Sequence, residues 1–407
     1  YLRYAAVTGV YPLAKVNIFT DDDLNILRIH VLNSRWELDD DTPKLREMVI
    51  TPGGAFHAGE PINLKVSMEE QSHILALNPA KSFLTALRSL LKRFDPDLIV
   101  TNSGDTWIMP KILEMEKEHG IKVGLNRDLS RPPREYKAFS YHAYGQVMHR
   151  GRQVMLYGRW HLDNLNMMAF GDLRVAGVCE QARVTGLPVQ VTARRSPGAG
   201  ITNMQIRTAL KKGILVPYQK QQAEYDKDLV ELMRADRGGM IYQPLIGLHE
   251  HVAEIDFVSM YPSIMVEYNV SPETVLAEPG PGLEKVPELE LYVRHDFQGL
   301  IPETLGPLVH KRIKFKEKMK EIWKYDPRRV EYTARASGLK WLSVVTFGYL
   351  GYKNARYGRI EAHQTVSAYS RDLLLKAKEI AETKGYRVIQ MYIDCLWVQK
   401  QGVTTEE

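Results

Sequence analysis

The sequence predicts an α/β protein built from more than one domain, and three observations carry that prediction. Short apolar runs alternate with amphipathic stretches through the first half; glycine- and proline-bearing breaks fall at 194–200 and 236–239; long helical stretches then lead into a closing strand pair. With 407 residues, 44% of them hydrophobic, the chain is long enough for two or three domains with substantial cores.

Taken in order, 24–32 is an apolar run read as a strand, and Pro52-Gly53-Gly54 is a hairpin-like break. A helix follows from Asn78. Asn78 can cap it, Pro79 suits its first turn, and Phe83, Leu84, Leu87, Leu90 and Leu91 form one stripe that stops before Asp95-Pro96. A short buried strand at 98–100 and a helix at 110–119 place Asn102 and Asp105 on a loop at a strand's carboxyl end. Arg-Arg-Ser-Pro-Gly-Ala-Gly reads as a connector and Asp236-Arg237-Gly238-Gly239 as a second break, so the main boundary is expected between them, nearer Gly239. Beyond it come a strand at 252–258, a strongly basic helix at 305–325, helices at 330–345 and 367–384, and a strand pair within 386–398. There is no internal repeat or low-complexity tract.

The bulk charge excludes little. A net charge of +5 from 54 basic and 49 acidic residues does not by itself imply a nucleic-acid partner. Cys179 and Cys395 are too few for a disulfide framework or a cysteine zinc site, which fits a reducing compartment. No run of about 18 apolar residues and no signal-peptide order at the start lead to the expectation of a soluble, cytoplasmic protein with no membrane partner.

Chemistry concentrates in the second half. The strand at 252–258 ends in Asp-Phe-Val-Ser-Met-Tyr-Pro-Ser-Ile, with Asp256 at its edge and Tyr261 just beyond. Asp394 sits in Val-Ile-Gln-Met-Tyr-Ile-Asp-Cys-Leu-Trp-Val, an otherwise apolar hairpin where an unpaired charge costs several kcal/mol. Two such carboxylates call for a shared cation. Two-metal phosphoryl transfer needs hard oxygen ligands holding magnesium ions roughly 3.5–4 Å apart. Between the aspartates, Arg312 and Lys316 share one helix face and Lys340 follows one helix later. Such cations can grip a triphosphate, although the same run considered alone is also what a solvated basic face looks like.

Asp256 to Ile264 resembles the first polymerase signature of family B DNA polymerases, Asp-x-x-Ser-Leu-Tyr-Pro-Ser-Ile, and Asn-Val-Ser-Pro-Glu-Thr continues the match. The resemblance implies an RNase H-like exonuclease-type domain, then a polymerase palm of antiparallel sheet with helices, and helical fingers; the family's thumb is not included. Its limits are an N-terminal remnant at 1–20, a degenerate 3′–5′ exonuclease-like domain at 21–200, a return segment at 201–238, palm at 239–300 and 356–407, and fingers at 301–355.

By that resemblance Asp256 and Asp394 hold two magnesium ions, or manganese, with Phe257 as a further ligand. Arg312, Lys316 and Lys340 contact the triphosphate of the incoming deoxynucleotide, together with Ser259 and Phe257. Tyr261 lies beneath the sugar and excludes a ribose hydroxyl, although a ring there can also merely pack. Lys340 is implied to protonate the leaving pyrophosphate. Primer–template DNA and dNTPs are the implied partners, a sliding clamp is a candidate one, and a nucleoid-associated location follows.

The departures matter as much. The second signature, Lys-x-x-x-Asn-Ser-x-Tyr-Gly, is matched at Lys340 and Gly348 but not at Val344, Val345 or Phe347. The third keeps one aspartate. Matching the flanks Val388-Ile389 and Leu396-Trp397-Val398 puts Asp394 on the essential ligand and Tyr392 on the dispensable one; matching Tyr392 to the family's tyrosine would leave Leu396 at the essential position. The flank match needs no gap.

In the exonuclease half the acids are missing. Val31 and Asn33 stand at the expected Asp-x-Glu, Ile108 replaces the second acid in Asn-Ser-Gly-Asp-Thr-Trp-Ile-Met-Pro, and Arg174 stands where a further acid is expected. Asp105, Asp163 and Asp172 are then expected to be surface or capping residues. A dead exonuclease with one aspartate in the third signature resembles the divergent second group of archaeal family B polymerases, with bacterial relatives also fitting. Function is therefore expected to be template-directed deoxynucleotide addition without proofreading, in repair or damage tolerance. A non-catalytic polymerase-like DNA-binding scaffold and a nuclease using Asp105, Asp163 and Asp172 are the alternatives.

Overall fold

The structure, a computed structural model, describes residues 2–39, 42–54, 60–143, 146–167, 170–219, 223–235 and 237–403, without the side chains of 143 and 170–172. Its first elements are α1 (Leu2–Thr8), β1 (Val16–Thr20) and β2 (Ile26–Val31). Then come β3 (Glu47–Pro52), β4 (Asn63–Met68), β5 (Gln71–Ala76), α2 (Ala80–Phe94), β6 (Leu98–Thr101), a π turn at Gly104–Ile108 and α3 (Met109–His119). Short strands β7 (Arg134–Tyr136), β8 (Phe139–Ala143), β9 (Gln146–Arg150) and β10 (Gln153–Met155) precede β11 (Trp160–Asp163). Helices α4 (Phe170–Thr185), α5 (Val189–Arg194), α6 (Pro197–Lys211) and α7 (Leu229–Ala235) lead to β12 (Ile241–Tyr242), β13 (Ala253–Asp256) and α8 (Met260–Glu267). After β14 (Val275–Leu276), β15 (Leu283–Lys285) and β16 (Tyr292–Arg294) come α9 (Leu300–Glu321), α10 (Arg328–Gly351) and α11 (Ile360–Thr383), and then the hairpin β17 (Arg387–Tyr392) and β18 (Cys395–Gln399).

The chain forms two compact units, one of 1–40, 176–187 and 197–407, the other of 41–175 and 188–196. These limits differ from the expected 21–200 and 201–238, and Asp236 of the expected boundary lies outside the described residues. Helix α4 is broken at Arg174, whose φ of 47° is not helical, close to where the chain leaves the second unit.

The smaller unit is organised by a five-stranded sheet in the order β11-β6-β3-β4-β5. β3 runs parallel to β6, and β6 to β11, while β3, β4 and β5 form an antiparallel meander. Met48, Ile50, Leu64, Val66 and Ile99 from the strands bury against Phe83, Leu84, Leu87 and Leu91 of α2 and Ile112 of α3. The α2 stripe is thus as expected, but the residue preceding the helix is Pro79, with no side-chain cap bond, so Asn78 does not cap it.

The strand expected at 24–32 has a different place. β2 pairs only with β1, in an exposed ribbon of the larger unit, and Asn33 accepts hydrogen bonds from the Tyr11 hydroxyl and the Lys15 N–H at 3.0 Å. Val31 and Asn33 therefore do not stand on the sheet of the smaller unit; its central strand is β3, which carries Met48 and Ile50 inward.

In the larger unit, the sheet order is β12-β17-β18-β13, antiparallel throughout. Its core joins Val388, Met391, Leu396 and Val398 of the hairpin to Ile264 and Met265 of α8, Leu305 and Leu308 of α9, Leu339 of α10 and Val366 of α11. The expected helices are present and each begins earlier, at Leu300, Arg328 and Ile360; extended Gly299 precedes α9, which ends at Glu321. Pro302 sits in the first turn of α9, where an amide hydrogen has no helical partner anyway.

Candidate active site

β13 lies at the sheet edge against β18, with Asp256 opposite Cys395 and Ile255 opposite Leu396. The turn between β17 and β18 is Ile393-Asp394; Ile393 takes a φ of 59°, and the Asp394 N–H donates to the Tyr392 carbonyl at 2.7 Å. The Phe257 N–H donates to the Asp394 carbonyl at 2.9 Å, and the Ile393 N–H to the Met240 carbonyl at 2.8 Å. Two residues far apart in the chain are thereby held at adjoining strand ends. Burial, then the negative charge of Asp256, raises the Asp394 carboxyl above the usual range, while Lys340 acts in the opposite sense. That is the electrostatic mark of two carboxylates sharing one field. Leu396, the position implied by the other register, is buried.

Three cations face this pair. Arg312, nearly buried on α9, donates from its guanidinium to the Ser259 hydroxyl, and Ser259 itself takes a left-handed φ of 52° at the start of α8. Lys316, one turn further, is held below its ordinary range by burial and by Arg312, with Asp256 pulling the other way and Lys340 close enough to add repulsion. Burial likewise lowers Arg312, against the attraction of Asp256. Cations crowded against one another within reach of two carboxylates are chemically suited to meet a polyanion.

Tyr261, on α8, packs on Phe347 with ring centroids 4.3 Å apart, and Phe347 stacks on His363 at 4.0 Å. Its hydroxyl bonds Ser370, and a Cβ at Gly239 would lie 3.0 Å from it. Phe257 is half-buried and its ring packs on the core, so its carbonyl oxygen is the donor it could offer a cation.

The helices carrying these cations are tied together by a residue that sequence reasoning missed. Glu180 of α4, wholly buried, forms an ion pair with Lys311 of α9 at 2.5 Å and with Arg335 of α10 at 2.8 Å, accepting a hydrogen bond from the Arg335 guanidinium at 2.9 Å. Lys311 also donates to the Arg35 carbonyl at 2.7 Å, and burial draws its ammonium down to about 8. Alongside, a Cβ at Gly338 would meet the Gly177 carbonyl at 2.8 Å, so α4 and α10 touch backbone to backbone. Lysine–arginine alternation on α9 looked solvated in sequence; only the fold shows which cation turns inward.

The smaller unit holds a second set of acids. Asp105 and Asp163 are both fully buried, so of the expected surface or capping roles the surface one does not hold for either. Asp105 forms a two-pronged pair with Arg194 at 2.8 and 3.0 Å and also accepts from the Val154 N–H and the Asn166 amide, each at 2.8 Å. Asp163 does cap, accepting from the N–H groups of Asp105 at 2.8 Å and Leu165 at 3.2 Å. His161, wholly buried, lies 3.5 Å from Asp105 and is held down to about 4, chiefly by burial and then by Arg194. Ile108 is buried, and the side chain of Asp172 lies outside the described residues.

The family signature of DNA polymerase family B matches residues 187–401. The chain belongs to this family. Relatives include DNA polymerase 1 of Pyrococcus abyssi, 26% identical over 420 residues spanning 89% of this chain and 54% of that protein. DNA polymerase 2 of Saccharolobus solfataricus is 34% identical over 228 residues, 56% of this chain and 33% of that one. In fold, the family B DNA polymerase from the hyperthermophilic archaeon Pyrobaculum calidifontis resembles it with a TM-score of 0.70 at 23% identity, covering 99% of this chain and 60% of that one. The match thus spans between a third and about half the length of these relatives. The family match takes in Asp256, Asp394 and all three cations, and stops short of most of the smaller unit.

Among the described residues no cluster of three or more His, Cys, Asp or Glu side chains is arranged to hold a metal ion, and no helix is long and apolar enough to cross a membrane. The donors present fit a divalent cation: both carboxylates offer hard oxygens, and the charge of Asp256, which adds to burial in raising Asp394, is what a cation would offset.

Proposed function

We propose that the protein is a template-directed DNA polymerase, adding deoxynucleotides to a primer 3′-hydroxyl, with no proofreading. The observation that supports this most is the approach of Asp394 to Asp256 across the β13–β18 edge, with Arg312, Lys316 and Lys340 within electrostatic reach. In this reading 239–300 and 356–407 are palm and 301–355 fingers, and the unit of 41–175 and 188–196 is the exonuclease-like domain.

Magnesium, or manganese, held by Asp256, Asp394 and the Phe257 carbonyl would activate the hydroxyl and neutralise the departing pyrophosphate. Arg312 offers a planar fork and Lys316 a point charge to the triphosphate, fixing it before reaction. Lys340 is the proposed proton donor to the leaving pyrophosphate, supported by its electrostatic reach to Lys316 and Asp394. Tyr261, braced by Phe347 and tied to Ser370, is the rigid floor on which a sugar is screened.

Loss of proofreading rests on the smaller unit. β3 turns Met48 and Ile50 inward, Ile108 replaces an acid, and Asp105 is neutralised by Arg194. A polymerase without an editing site suits repair or damage tolerance. One observation favours a non-catalytic DNA-binding scaffold instead: Tyr392, half exposed, stands where the family carries its second aspartate.

The deciding experiment is magnesium-dependent primer extension by the full-length protein, beside Asp394→Ala. Extension that disappears in the variant is the expected result. No extension from either would favour the scaffold, and extension that survives the substitution would remove Asp394 from the site.

A further inference from the structure

α9 and α10 are joined by a six-residue turn at 322–327, and this tip has an unusual surface. Trp323 is 71% exposed and Tyr325 69% exposed, with their rings edge to face at 5.0 Å. Tryptophan is among the side chains whose large apolar area is ordinarily covered. The pair contact each other through an edge, so each leaves most of its ring to solvent.

The tip is also positively charged. Residues 314–329 carry seven Lys or Arg and three Asp or Glu, an excess of four. Lys314, Lys320, Lys324 and Arg328 are exposed, and the Lys324 ammonium lies 5.9 Å from the Tyr325 ring centroid.

The arrangement is held by the backbone. The Asp326 N–H donates to the Trp323 carbonyl at 3.0 Å, the Asp326 carboxylate pairs with Arg328 at 2.7 Å, and the Arg329 guanidinium donates to the Met319 carbonyl. Ordered aromatic faces among exposed cations are the surface that recognises unpaired nucleotides. Each base offers a face to stack on and each phosphate a charge to meet, without reading sequence.

We propose that the α9–α10 tip is a binding site for single-stranded nucleic acid, in which Trp323 and Tyr325 stack on unpaired bases while Lys320, Lys324 and Arg328 engage the phosphates. An acidic protein segment would satisfy the cations but does not offer a stacking face and an anionic group at every residue, as a nucleic acid does at every nucleotide. The site is separate from Asp256 and Asp394 in sequence and chemistry, and binding can be read without catalysis, so it stands or falls apart from the polymerase reading.

The test is fluorescence anisotropy of a labelled oligothymidylate at fixed salt, with heparin and polyglutamate as base-free polyanions. The double variant Trp323→Ala/Tyr325→Ala should bind oligothymidylate at least about tenfold more weakly, since stacking contributes about 1–3 kcal/mol per base. Heparin binding should stay within about twofold, because the charges remain. Trp323→Phe/Tyr325→Phe should keep most of the oligonucleotide affinity while losing the indole quenching that base stacking produces, which also guards against a folding defect. Unchanged oligonucleotide binding in the alanine variant overturns the proposal. So does an equal loss on heparin, which would make the site purely ionic, or a loss confined to polyglutamate, which would make it a protein-docking surface.

Discussion

Two pairs of aspartates separate the two units of this molecule. Asp105 and Asp163 are fully buried, and their oxygens are occupied by Arg194, Asn166 and backbone N–H groups. Asp256 is exposed, Asp394 half exposed, and the charge that most perturbs Asp394 is Asp256 itself. Satisfying a buried carboxylate internally turns it into a structural anchor. Leaving two carboxylates to repel each other at a sheet edge, with cations facing them, keeps their field available to a ligand.

That contrast can be broken most forcefully at Asp394. Asp394→Asn should reduce primer extension by the full-length protein by about a thousandfold or more, the several kcal/mol that metal ligation contributes to such a transition state. The same substitution should not lower the melting temperature measured in chelator. A carboxyl with a raised folded-state pKa disfavours folding once ionised, so removing it at neutral pH relieves repulsion. A clear destabilisation would make Asp394 another anchor.

The opposite signature is expected at Arg194. Arg194→Leu leaves Asp105 charged and buried and should cost about 3–5 kcal/mol in urea unfolding of the smaller unit. Pairing it with Asp105→Leu should recover part of the loss. A loss for the single variant below about 1 kcal/mol would erase the distinction between the pairs.

Acid provides a third comparison. His161 is held neutral in the folded state to about 4, against 6.5 for the ordinary side chain. Between those values the unfolded chain takes up a proton that the folded one refuses, so this contribution to stability is complete above 6.5 and is lost as pH falls towards 4. Asp105, which Arg194 lowers against the effect of burial, acts in the same direction but only below its ordinary value of 3.8, and Asp163, raised by burial, acts in the opposite one. Melting curves of the smaller unit across this window should fall with pH, and His161→Gln should flatten the slope. The smallest effect is expected at Tyr392: Tyr392→Phe should leave extension within about twofold, since removing one exposed hydroxyl leaves both carboxylates in place.

The larger unit was readable because its signals are local. The apolar alternation before Asp256, the basic stretch that became α9 and the apolar hairpin around Asp394 each reveal their element within a dozen residues. The smaller unit was less so. The strand at Ile26 pairs with its sequence neighbour β1 and leaves the sheet of the smaller unit, which nothing in its own residues signals, and nothing near Asp105 shows that Arg194, distant in sequence, closes on it. The β3 strand was passed over for the same reason, its apolar residues falling beside a charged start at Glu47. Within the candidate site, the polar groups were legible by type and spacing. Glu180 was not, because one acid on a helix of mixed polarity carries no sign of which cations it will meet.

The antiparallel join of β13 to β18 also dictates when the acidic pair comes into being. Asp256 leaves the ribosome with its strand, but its counterpart arrives only after α8, α9, α10 and α11 have been made. Closing so long a loop must be compensated by contacts formed at the end, so this edge is expected to be among the late events of folding. On the proposed reading, a nascent chain would thus carry half a cation site while the 137 residues between Asp256 and Asp394 are made, and metal affinity would emerge as a timer of that stretch's folding.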